Sequence, residues 1–288
     1  MSRKAGFTLI ELLVVIAIIA ILMAVIMPAL STAKKIATGA VCVANQRNLL
    51  AGWIMYADDS DGFLINNRAC YDAAGEPTPW VCRPKDAAGN DLPHNPAPAY
   101  ITDHDRYRGI QAGTLWKYVE DVDVYHCPGD NRKSTRKPPR DCWRSYSISY
   151  AFGYVRTGSQ GYRPYCKMQE VKNAALYYVF VEEEHNGSQY GENEGGWHLR
   201  FRSGENRLDN PGSWMFYDPL ASYHNKSSTF GFADGHAGRQ TWRDKRTQEA
   251  IAENADNPAS HSGMYINSPG NEDLKWLIEH FIARNRLE

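Results

Sequence analysis

Residues 6–30 read GFTLIELLVVIAIIAILMAVIMPAL, and the rest of the chain is organised around them. From Leu12 to Leu30 there are 19 residues with no charge and one proline. A bilayer's hydrocarbon core, about 30 Å thick, takes about 20 helical residues to cross. Phe7 to Leu30 supplies 24. The basic residues Arg3 and Lys4 stand just upstream. An ordinary secretory signal places its small-residue cleavage site after the apolar run. Here the small residue, Gly6, comes before it, so a cut there removes residues 1–6 and leaves the apolar helix on the mature chain.

Glu11 interrupts the run. A carboxylate at the centre of a membrane helix costs about 2.5–3.5 kcal/mol on insertion scales, and less near the edge. Such residues are kept for a partner. Two readings follow from the residues alone. In the first, the segment is a plain signal anchor with Glu11 near the headgroups. In the second, a cut after Gly6 gives Phe7 a new amine, and the amine of a neighbouring subunit neutralises Glu11 and sets axial register. Pro28 removes a backbone donor and clashes with the preceding turn, so the helix can bend or loosen there.

The heptapeptide Gly6-Phe7-Thr8-Leu9-Ile10-Glu11-Leu12, followed by a long apolar helix, resembles the class III signal of type IV prepilins and type II secretion pseudopilins. Gly6 matches the residue before the cut, Phe7 the aromatic that becomes the N-methylated first residue, and Glu11 the glutamate five residues into the mature chain. Pro28 falls where many pilins kink their helix. The likeness covers about 30 residues. It implies processing by prepilin peptidase, storage in the inner membrane with a periplasmic body, and assembly with other pilin or pseudopilin subunits into an extracytoplasmic filament.

The remainder has the composition of a water-exposed domain. Net charge is −1 at pH 7. Arg132, Lys133, Arg136, Lys137 and Arg140 lie in a proline-containing stretch and read as a solvated loop, so no nucleic-acid partner is indicated. The organisation expected is a leader at 1–6, an assembly helix at 7–57 and an extracytoplasmic body at 58–288. The fold class expected is α+β: the long N-terminal helix on an antiparallel sheet, with loop insertions and a C-terminal helix.

Within that frame, Ile36, Ala40, Val43, Leu50 and Ile54 recur at mostly helical steps and predict the face of the stem that packs on the sheet. Asp58-Asp59-Ser60-Asp61-Gly62 ends the helix. Asp58, Asp59 and Asp61 carry the oxygen ligands calcium takes, but they lack EF-hand spacing and its closing glutamate, so a turn is the preferred reading. No other cofactor is expected. Residues 70–108 read as proline-rich loops, 110–119 as a short helix and Val122–Pro128 as a short strand running into a turn. Tyr146–Tyr150, Leu176–Val181 and Trp214–Tyr217 read as strands. Thr229–Ala233 and His236–Trp242 read as a hairpin about Asp234-Gly235, the pair preferred in two-residue type I′ turns. A terminal amphipathic helix is expected from Leu274 to Leu287.

Six cysteines contain no C-x-x-C pair. Outside the membrane, disulfides are the natural state. Cys70 with Cys82 and Cys127 with Cys142 would close short loops, although six cysteines allow 15 pairings; several buried free thiols is the other reading.

His224, nine residues, then Asp234-Gly235 gives H-x9-D-G within 224–242. This resembles a signature near the end of large prepilin-like proteins of planctomycetes and related bacteria. Tyr125-His126-Cys127-Pro128-Gly129-Asp130 and Ser145–Tyr150 look like the middle segment of those proteins. The resemblance implies class rather than mechanism. His224, Asp234 and His236 could ligate a metal only if the hairpin brought them together, and a structural role is preferred. Glu182-Glu183-Glu184-His185 reads as a solvated acidic edge or an occasional metal site; glycosidases use such carboxylate pairs, but no second motif accompanies them, and the chain reads as non-enzymatic. Gly195-Gly196-Trp197-His198, Trp214 and Trp242 could include surface rings that stack on sugars, although aromatics more often lie in the core; the alternative function is a membrane-anchored surface-binding module.

Overall fold

The computed structural model describes residues 9–67, 77–92, 101–130, 144–153, 161–184, 195–201, 204–256 and 266–287. Helix α1, Leu9–Asp59, runs 51 residues, roughly 75 Å at 1.5 Å per residue. It continues through Pro28, where the Thr32 hydroxyl donates to the Pro28 carbonyl at 3.1 Å. From Leu9 through Ala37 every residue of α1 is exposed.

Below that point α1 buries one stripe: Gly39, Cys42, Gln46, Leu49, Leu50, Gly52, Trp53 and Ala57. The steps of three and four are helical, but the stripe is rotated from the one the apolar residues predict. Ile36 and Ala40 are exposed, and Val43 and Ile54 are half-buried. Polar Gln46 sits in the centre of the stripe with its amide nitrogen bonded, while its Oε1 has no hydrogen-bond partner among the described residues. Its Nε2 donates to the Thr229 carbonyl and hydroxyl, each at 2.9 Å. A hydrophobicity count cannot see that pairing.

The body is built on a five-stranded sheet. Its strands are β1 (Tyr146–Ser149), β2 (Tyr178–Glu182), β3 (Gly196–Trp197), β5 (Ser227–Phe232) and β6 (Ala237–Thr241), in the order β3-β1-β2-β5-β6. All pairings are antiparallel except β1 with β3. β4 (Met215–Phe216) and β7 (Ile266–Asn267) form a separate two-stranded ribbon. The apolar run around residues 176–181 therefore does become the central strand, shifted to end at Glu182. A register shift between Tyr178 and Phe180 breaks the alternation of β2. Tyr178 stacks on Trp276 and donates its hydroxyl to the Leu277 carbonyl at 3.0 Å. Glu182, at the other end of the same strand, turns to the stem side.

Two helices flank the sheet region further along: α3 (Lys245–Asp256) and the C-terminal α4 (Glu272–Glu279). Asn271 caps α4 by accepting from the Asp273 and Leu274 amides. α4 is shorter than the helix expected over 274–287. Leu274, Leu277, Ile278, Phe281 and Ile282 are all buried as their spacing predicts, although the last two follow the helix. Arg286, beyond that helix, reaches Glu170 at 3.1 Å and stands over the Tyr165 ring.

Two further expectations change. Val122–Tyr125 is a single 3-10 turn rather than a strand, because the Asp121 side chain accepts from the Asp123 amide and closes the turn. The expected helix over 110–119 is divided between α2 (Asp103–Gln111) and a 3-10 turn at Thr114–Lys117. Thr102 and Asp105 form a reciprocal capping box that starts α2 earlier than its apolar residues suggest.

Candidate functional site

The first candidate is the bare half of α1. Leu9, Ile10, Leu12, Leu13, Ile16, Leu22 and Ile26 are more than half exposed, and α1 is long and apolar enough to cross a membrane. Glu11 lies in its first turn and Pro28 inside it. Gly6 and Phe7 lie outside the described residues.

The stem's lower end leaves through a turn. Asp59 Oδ2 accepts from Lys117 Nζ at 3.0 Å and the Tyr118 hydroxyl at 2.9 Å, and Asp61 and Gly62 take positive φ values. Lys117 and Tyr118 hold the Asp59 carboxyl below its ordinary value. Asp58, Asp59 and Asp61 do not bring their oxygens together: among the described residues, one group of side chains does so, and it lies elsewhere.

That group is Cys42, Cys127, Glu182 and His224. All four are buried, and their ligand atoms lie within 4.8 Å of one another. The Cys42 and Cys127 sulfurs are 2.9 Å apart. His224 Nε2 stands 2.9 Å from Glu182 Oε1 and 3.3 Å from Cys127 Sγ. On the far side of the ring, Nδ1 is 3.2 Å from both the Lys35 carbonyl and the Thr38 hydroxyl. Glu182 Oε2 accepts the Thr229 amide at 3.0 Å. The Gly129 amide donates to Cys127 Sγ at 3.3 Å. The ring has room only because two glycines flank it: a Cβ on Gly39 would stand 3.2 Å from His224 Cγ, and one on Gly129 would stand 3.0 Å from Cε1.

Burial presses the His224 imidazole down, but the adjoining Cys42 thiol and Glu182 carboxylate overcome this and hold it up at about 10. Burial pushes the Cys127 thiol up, and Cys42 and Glu182 add to the rise.

The hairpin does not join His224 to Asp234 and His236. Asp234 Oδ1 instead accepts the His236 amide at 3.1 Å and lies 2.6 Å from its Nδ1. Phe232 and His236 face each other across the turn, so the loop has three residues rather than two. Gly235 alone takes positive φ, at 92°, which fits a type I turn closed by a glycine bulge.

Other candidates move as well. Glu182, Glu183 and Glu184 are buried, not a solvated edge, and His185 lies outside the described residues. Trp197, Trp214 and Trp242 are at most 3% exposed, and their indole N–H groups donate to Pro219, Arg207 and Ser228. They are core residues, the commoner place for aromatics, and so do not serve as a sugar platform. Cys70 and Cys142 lie outside the described residues, and with them both short-loop pairings. Cys82 is half-buried, its sulfur 3.4 Å from the Ala112 carbonyl.

Sequence reasoning missed Cys42 as a site residue and grouped Glu182 with its acidic neighbours rather than with His224 and the cysteines. The available signal was a cysteine in the packed half of the stem and a carboxylate directly continuing an apolar strand. The preference for short loops drew Cys127 toward Cys142 instead.

The residues that head this exposed stem match a known motif. Residues 1–27 match the family model of the prokaryotic N-terminal methylation motif. The chain is 42% identical over 79 residues to the type IV wide pilus major component PilA4 of Thermus thermophilus. That match covers 27% of this chain and spans 60% of the length of its relative. No solved structure matches.

Proposed function

We propose that the chain is a structural, non-enzymatic subunit of a type IV pilus-like or type II secretion pseudopilus filament. Prepilin peptidase removes residues 1–6, and Phe7 becomes the methylated first residue. The helix at 7–57 holds the subunit in the inner membrane until assembly, with the body at 58–288 on the periplasmic side. The observation that carries this reading is the unbroken exposure of α1 from Leu9 to Ala37 beside a body that packs only on its lower half. In a helical assembly that surface is buried against like helices. Apolar burial from water is worth about 25 cal/mol per Å², and less from lipid. Glu11 then pairs with the Phe7 amine of a neighbouring subunit and fixes register. The wide-pilus relative supports the pilus arm, and the H-x9-D-G likeness at His224, Asp234 and Gly235 supports a place among large prepilin-like proteins.

The test is intact mass and N-terminal sequencing of protein sheared from the native cell surface. A chain starting at methylated Phe7 in a filament fraction is the expected result. A chain that keeps residues 1–6, or one cut after Leu30, overturns it and leaves a membrane-anchored or secreted surface-binding module.

A further inference from the structure

Four parts of the chain meet under the stem. α1 gives Cys42, the turn after the 122–125 segment gives Cys127, the end of β2 gives Glu182 and the loop before β5 gives His224. We propose that these side chains form a closed zinc(II) site, with two sulfurs, one imidazole nitrogen and one carboxylate oxygen as ligands. The proposal stands whether or not the chain polymerises.

The donor set is the first argument. Thiolate, imidazole and carboxylate in a set of four are zinc ligands, and four protein ligands with no open position make a structural site. Complete burial of all four fits that type.

The second argument is the orientation of His224. A carbonyl only accepts, so the Lys35 carbonyl at 3.2 Å places a proton on Nδ1. Nε2 then faces Glu182 Oε1 and Cys127 Sγ, both acceptors when ionised. At 2.9 Å, Nε2 and Glu182 Oε1 need a proton or a metal ion between them. Without metal it is a proton on Nε2, and zinc replaces it. A metal-bound histidine ordinarily has its other nitrogen anchored in this manner.

The third argument is the preparation of the remaining ligands. The Gly129 amide donates to Cys127 Sγ at 3.3 Å and fixes the position of the sulfur. Thr229 occupies Glu182 Oε2 and leaves Oε1 directed at the centre. A disulfide between Cys42 and Cys127 would use the sulfurs alone and leave the histidine and carboxylate as a buried ion pair beside them. Zinc uses all four groups.

The binding step balances without redox chemistry. Two S–H bonds and the Nε2–H bond break, four bonds to zinc form, and three protons leave to solvent, so affinity rises with pH. The site would fasten the stem to three elements of the body.

The test uses the full chain, extracted in detergent without chelator or reductant. Zinc is counted by mass spectrometry of the metal, and cobalt(II) is exchanged in as a chromophore. The expected result is about one zinc per chain and a thiolate-to-cobalt charge-transfer band. Cys127→Ser and His224→Gln should each lower zinc content at least tenfold, while Cys166→Ser should retain it. Wild-type protein that is zinc-free and whose peptide map joins Cys42 to Cys127 overturns the proposal. So does wild-type protein with both thiols free that fails to take up added zinc(II). The wild-type measurements decide the matter even where a variant fails to fold.

Discussion

His224 Nε2 lies 2.9 Å from Glu182 Oε1 at a point where neither side chain has any solvent exposure. Removing one member of a buried pair strands the other, at a cost of about 3–5 kcal/mol. His224→Ala should therefore lower the unfolding free energy of the full chain by about that amount. Denaturant unfolding in detergent, followed by tryptophan fluorescence, measures it. A loss below about 1 kcal/mol would show that Glu182 is satisfied without the ring.

Gly39 is where α1 approaches that ring. A Cβ there would already be 3.2 Å from His224 Cγ, so the larger side chain of Gly39→Val must displace the ring or the helix. Overpacking of this kind costs about 1–3 kcal/mol. Gly238→Val is the control, since a Cβ at Gly238 meets nothing within 4 Å, and it should stay within about 0.5 kcal/mol of wild type. Equal effects from the two would refute the close-approach account.

His198 gives the pH prediction. Burial, with Arg200 adding to it, drives this imidazole down from 6.5 to about 3, and its ring sits among Tyr150, Tyr162 and Tyr217. The unfolded chain binds a proton that the folded chain refuses. The contribution is full above about pH 6.5 and is lost as pH falls from there toward 3, at about 1.4 kcal/mol per pH unit. Thermal unfolding at pH 7.0 and about pH 5 should show wild type losing more stability than His198→Phe. Parallel pH dependences would disprove the assignment.

Glu11→Ala separates the two functional classes. A filament subunit should keep its membrane insertion and disappear from the sheared surface fraction. Immunoblots of membrane and sheared fractions read both quantities, and undiminished surface polymer in the variant would exclude the register role of Glu11.

The stem was legible in the sequence because its determinants are local. An uncharged run from Leu12 to Leu30 and a basic leader need no tertiary information to interpret. The central strand was legible because a continuous apolar stretch of that length suits a strand covered on both faces. The C-terminal core residues followed from helical spacing, although Asn271 moved the start of α4 and the chain left the helix before Phe281. Failures occurred where a polar contact overrode the pattern. Asp121 closed a 3-10 turn where a strand was expected, and a three-residue loop let Asp234 bond to His236 where a type I′ turn was expected.

The sequence by itself determined the apolar helix, the processing signal and the sheet's central segment, because periodicity and hydrophobicity are properties of neighbouring residues. Only the tertiary structure decided which side of α1 faces the body, where polar Gln46 bonds Thr229 in a stripe that an apolar count does not include. It alone brought together Cys42 and Cys127, 85 positions apart, and Cys127 and His224, 97 positions apart. The physical reason is that closing a long loop adds only a slowly growing entropy cost. Sequence separation therefore carries almost no information about which distant side chains a packed core will join.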